Sequence, residues 1–168
     1  MGKERVEVYS QMFKAAARSL KTEAEKVPED KRLHQIADGK GHPLWHMGHL
    51  AHGQDLIINQ WLLGGESVVP AEYGAIFAPG VMGGKTPTAN ADDYPSWDEV
   101  LENYDKACAK TFELLEGLTD EDLPGDLKGD VPEQARSFFG KLDESLIGMA
   151  LHEGHHRGQM ALIAALDA

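Results

Sequence analysis

Seven of the eight histidines in this chain fall in two short runs, His42, His46, His49 and His52, then His152, His155 and His156. Imidazole nitrogens serve as metal ligands, general acids and bases, or hydrogen-bond partners in a core. Residues four apart on a helix share a face, so His152 and His156 can aim two rings at one point. They also continue the apolar stripe marked by Met149 and Met160, which points them inward. A third ligand must come from a facing helix, where His46, His49 and His52 are available. His49 is preferred because Trp45, His49, His52 and Leu56 lie along one side and His49 sits near the middle of its apolar part, although spacing leaves His46 and His52 open. Imidazoles suit zinc, copper, iron and nickel, and three protein ligands with a vacant fourth position make a reactive site rather than a structural one. Burying several imidazoles without partners would cost free energy for each, a cost that a metal removes. His34 and His42 are read as ordinary hydrogen-bonded histidines.

His155 stands three residues after His152 and His156 four, but about 100° separates neighbouring residues on a helix, so His155 is expected to face a neighbouring helix instead. Glu153 with His156 spells Glu-x-x-His, half of a di-iron carboxylate signature. No second copy exists, since Lys31, Pro43, His46, His49 and His152 stand three before the other candidate histidines. Cys108 falls on a core position and no Gly-x-Ser-x-Gly elbow occurs, which argues against a nucleophile paired with histidine. Gly64-Gly65 and Gly83-Gly84 read as turns, not as a phosphate-binding fingerprint. No general acid or base can be named.

The elements that must position the histidines are helical. Tyr9, Phe13, Ala16, Leu20, Ala24 and Val27 recur in steps of three and four before Pro28. Pro43 suits the first position of a second helix, which Gly64 and Gly65 stop. Ser96 and Glu99 form a capping-box pattern ahead of the third stripe. Leu142, Leu146, Met149, Met160 and Ile163 mark the last. Main helices are therefore predicted near residues 4–26, 43–63, 97–117 and 140–166, with short helical pieces around Lys31 to Ile36 and Pro132 to Phe139. The pattern predicts an all-α chain, a four-helix bundle in one domain over 1–168. Its Gly- and Pro-rich connection from Gly64 to Pro95 is long enough to be functional, and the substrate pocket is expected between it and the histidines.

Composition narrows the function. A net charge of −12 with dispersed Lys and Arg disfavours nucleic acid and anionic lipid as partners. A single cysteine excludes an intrachain disulfide and a Cys-based zinc site, and fits a reducing cytoplasm. No apolar run approaches the roughly 18 residues that span a bilayer.

Two segments carry a family resemblance. Leu44-Trp45-His46-Met47-Gly48-His49-Leu50 resembles the Trp-x-x-x-His of DinB/YfiT-like proteins, and His152-Glu153-Gly154-His155-His156-Arg157-Gly158-Gln159 resembles their His-x-x-His-His-Arg-Gly-Gln. The resemblance implies His49, His152 and His156 as ligands of one divalent transition metal, zinc or nickel ahead of iron or manganese. It implies a long crossover between the second and third helices, which makes them run the same way, and a homodimer. Arg157, Gly158 and Gln159 are implied to position the ligand helix, with Gly158 permitting close packing. Family members with assigned reactions use low-molecular-weight thiols, so the implied activity is metal-dependent transfer to or from a small molecule. Metal-dependent hydrolysis, or metal binding without turnover in a stress-response protein, are the competing functions.

Overall fold

The computed structural model describes residues 2–166, and among these every regular element is helical. Helix α1 spans Glu4–Glu25 and buries Val6, Phe13, Leu20 and Ala24 along one stripe. The chain then tightens into a 3₁₀ turn at Glu29–Lys31, ahead of the helical piece expected at Lys31 to Ile36, where residues 32–36 form no helix. Helix α2, Pro43–Gly53, begins with its proline in the first turn, where a missing N–H costs nothing. The predicted single helix to residue 63 is instead α2 continued by a π-helical segment, Gln54–Leu62. Wider hydrogen-bonded turns of this kind concentrate near functional sites. Here the buried Asp55 holds it: its carboxylate accepts from Val68 N–H at 2.8 Å, Ser67 Oγ–H at 2.7 Å and Gln60 Nε2–H at 3.0 Å, tying the segment to the chain that follows. Gly64, at φ +70°, ends the run in a conformation that side chains disfavour.

The connection that follows is not a bare loop. Helix α3, Tyr73–Phe77, lies within it, and both terminal aromatic rings are completely buried. Helix α4 spans Trp97–Glu116, with Ser96 Oγ accepting from the Glu99 N–H at 3.2 Å as the capping pattern predicts. Helix α5 is one turn, Glu133–Arg136, within the region anticipated from sequence. Helix α6 spans Leu142–Ala164, and the Glu144 carboxylate accepts from the Lys141 N–H at its start.

The long elements pack on one another through two apolar clusters. Helix α1 lies against α6 and α4, while α2 and its π-helical continuation lie against α4 and α6. One cluster joins Leu20, Met47, Tyr73, Phe77, Tyr104 and Met160. The other joins Phe13, Ile58, Leu62, Leu115, Leu142 and Leu146. Each such side chain contributes about 1.5–3 kcal/mol on burial, which fixes α2 and α6 side by side. The histidines of both runs therefore meet. No described helix is long and apolar enough to cross a membrane.

Candidate metal centre

Helix α2 presents His49 and helix α6 presents His152 and His156, with one nitrogen of each within 4.8 Å of the others. The Nε2 atoms of His49 and His152 are 3.2 Å apart, and those of His156 and His152 are 3.1 Å apart. Four ligands arranged tetrahedrally at about 2.0–2.1 Å from zinc would be about 3.3 Å from each other, close to these spacings.

The proton inventory supports the fit. His49 Nδ1 lies 2.9 Å from the Phe77 carbonyl, which can only accept, so Nδ1 carries the proton and Nε2 offers a lone pair. Whichever neutral tautomers His152 and His156 take, at most one of the two contacts at His152 Nε2 can then be an ordinary hydrogen bond. A divalent cation between the three nitrogens satisfies them all. Burial, and then the neighbouring His152, holds His49 down to about 4. Burial likewise lowers His152 and His156, so all three rings are neutral and able to ligate near pH 7.

Surrounding side chains fix the rings. Trp45, one turn before His49, stacks on it with centroids 4.8 Å apart and planes 6° from parallel. The Trp-x-x-x-His spacing thus places one ring face on the other. Gly48 makes room for Phe77: a Cβ there would stand 2.3 Å from the Phe77 ring. That close approach brings the Phe77 carbonyl to His49. His46 is buried too, and its Nδ1 lies 3.0 Å from His156 Nδ1. Spacing alone leaves His46 open as a ligand; in the structure it lies outside the three-histidine cluster and contacts the Nδ1 side of the His156 ring. His42 also serves structure, as Nδ1 accepts from the Trp45 N–H at 3.1 Å and Nε2–H donates to the Thr88 carbonyl at 3.0 Å. His52 lies outside the cluster.

Other expectations fare unevenly. His155 is outside the cluster, as anticipated, but it is exposed and rests edge-on against His156 rather than facing a neighbouring helix. Arg157 donates to Ser19 Oγ and so ties α6 to α1. Gly158 was expected to allow close packing, yet a Cβ there would meet no described atom within 4 Å. Glu153 is buried behind the site, accepting from Tyr104 O–H at 3.1 Å, and burial pushes its carboxyl up to about 7. It takes no part in a carboxylate-bridged centre. The expected pocket under the Gly64 to Pro95 connection is displaced: α3 fills that side with Phe77, whereas the cavity that reaches a site histidine lies by His152, against Ile57, Phe139 and Met149. Aromatic Phe77 and the 138–149 stretch were missed because neither carries a chemical group that sequence alone singles out.

No curated protein matched the chain. A family model does match, across residues 12–160, covering both histidine runs, all of α2 with its π-helical continuation and of α4, and most of α1 and α6, and the chain therefore belongs to the DinB superfamily.

Proposed function

We propose that this protein is a metal-dependent transferase that acts on a small molecule with a low-molecular-weight thiol as partner. One divalent transition metal, zinc or nickel before iron or manganese, is held by His49, His152 and His156. The observation that carries the reading is the convergence of three neutral Nε2 atoms beside a cavity of about 420 Å³ that His152 also lines. His152 is also the least buried of the three, so small molecules reach the centre from its side. A bound metal of this kind lowers the pKa of a thiol or water that reaches it. The chain's own residues keep the nitrogens aimed: Trp45 holds the plane of His49, and the Phe77 carbonyl holds its tautomer. An accessible centre favours turnover over simple metal storage.

The same reading makes the chain one domain, a four-helix bundle whose 63–96 connection crosses over so that α2 and α4 run the same way. It also makes it a cytoplasmic homodimer with neither nucleic acid nor membrane as partner. The outward face of α6 supports the dimer, since Ile147, Leu151 and Leu162 lie there, exposed, with Gly154 and Gly158 between them.

Elemental analysis of the purified protein tests the centre, with roughly one metal per chain expected. A panel of cellular thiols and electrophilic acceptors, with and without chelator, then tests transfer. Metal-loaded protein that ignores every thiol yet cleaves an ester or amide is a hydrolase; metal-loaded protein that does neither is a binding protein.

A further inference from the structure

The cavity beside His152 has a chemical character of its own. Its walls include Ile57, Phe139 and Met149, together with Phe138, which is 81% exposed. A large aromatic side chain left in water at the edge of a cavity gives up burial energy that an apolar occupant would recover. The cavity volume, about 420 Å³, lies within the range of small-molecule sites.

Charge points the same way. No Lys or Arg is among the described residues that line the cavity, and its one ionised side chain is Glu144. Lys141, the cation nearest in sequence, is paired with Asp126 at 2.7 Å, and only its backbone N–H meets the Glu144 carboxylate. Apart from a metal held by the histidines, a carboxylate or phosphate entering here would lose water without meeting a cationic side chain, and would face Glu144. The chain's net charge of −12 adds to that repulsion.

We propose that this cavity binds an uncharged, largely apolar small molecule, aryl or alkyl, with its reacting atom against His152, and that it rejects carboxylated thiols. The assignment rests on the reading of the three histidines as the reactive centre. Gly148 lines the cavity and gives a way to reverse the preference, because a Cβ built there meets no described atom within 4 Å. A lysine at this helical position also improves on glycine in helix propensity, so folding is not endangered.

Benzyl mercaptan and 4-(mercaptomethyl)benzoate form a matched pair that differs by one carboxylate. Their binding is measured by protein NMR titration on metal-free and zinc-loaded protein, for the wild type and Gly148→Lys. Wild-type protein is expected to bind the neutral thiol at least about tenfold more tightly in both forms, and Gly148→Lys to recover about tenfold for the carboxylate. Equal or tighter binding of the carboxylate by the wild type overturns the proposal, as does a ratio that Gly148→Lys leaves unmoved. Failure to take up zinc overturns the metal centre instead, while the preference of the metal-free protein remains readable, so the two claims fail separately.

Discussion

His46 Nδ1 lies 3.0 Å from His156 Nδ1, so two buried histidines from α2 and α6 touch on the side of the His156 ring opposite the Nε2 that meets His152. If His156 ligates a metal through Nε2, as proposed, its proton is left on Nδ1 for donation to His46. The His46 proton then sits on Nε2, leaving Nδ1 to accept. A hydrogen bond behind a ligand ring fixes tautomer and orientation, and its loss typically weakens metal affinity by about 10- to 100-fold. His46→Ala is expected to show that loss in competition titrations, and His46→Gln, whose amide oxygen still accepts, to recover part of it. Unchanged affinity in His46→Ala would mean that packing alone holds His156.

His42 couples the stability of α2 to pH. Burial lowers its pKa to about 4, and its Nδ1 lone pair caps the helix only while the ring is neutral. The unfolded chain takes up the proton near pH 6.5, so the stability from this group is complete above that pH and is lost as pH falls toward 4. One such group contributes a slope of at most about 1.4 kcal/mol per pH unit in that window. Thermal melts of metal-free protein between pH 8 and 4 should therefore show a gentler acid decline for His42→Asn, which caps without titrating, than for the wild type.

Gly48→Ala tests the nesting of Phe77. The added Cβ would overlap the ring, and a shift of Phe77 to relieve the clash would draw away the carbonyl that meets His49. Overpacking of this kind costs about 1–3 kcal/mol. Chemical denaturation of the metal-free variant should show that loss, and metal affinity should fall with it. A variant as stable as the wild type would show that Phe77 has room to move.

These effects separate what the sequence reveals from what it hides. Helical stripes were legible because burial enforces their period, so α1, α4 and α6 appear within a few residues of their predicted limits. The histidine pair was legible for the same reason, since His152 and His156 lie on the inward stripe. The π-helical segment was not, because Asp55 is held by Ser67 and Val68, contacts that depend on how the later chain returns. His46 carried the right residue type, but spacing along α2 does not say which face His156 meets. The cavity was hidden most completely, as its walls come from residues of ordinary core character on separate elements.

The outward face of α6 predicts the assembly state. Leu151 is 70% exposed and Leu162 58%, with the exposed Gly154 and Gly158 leaving space for another helix to approach. Leu151→Glu should convert a dimer into a monomer in sedimentation equilibrium without altering the circular dichroism spectrum. A wild-type protein that is monomeric at high concentration would rule out this interface.

The ligand assignment itself separates His156 from His155. His156 is buried, with Nε2 3.1 Å from that of His152, whereas His155 is exposed and stands outside the cluster. Removing one of three ligands leaves two, too few for stable binding of a divalent cation by imidazoles, and the incoming waters do not replace the lost bond. Removing an imidazole that only contacts a ligand ring costs at most about 10- to 100-fold. Zinc titrations of His49→Ala, His152→Ala and His156→Ala should therefore show binding abolished or weakened beyond that range, with His155→Ala close to the wild type. Circular dichroism on each variant excludes unfolding as the cause, and the buried rings make that control necessary for His49 and His156 above all. If His155→Ala abolishes binding while His156→Ala retains near-native affinity, the centre is built from a different set of histidines.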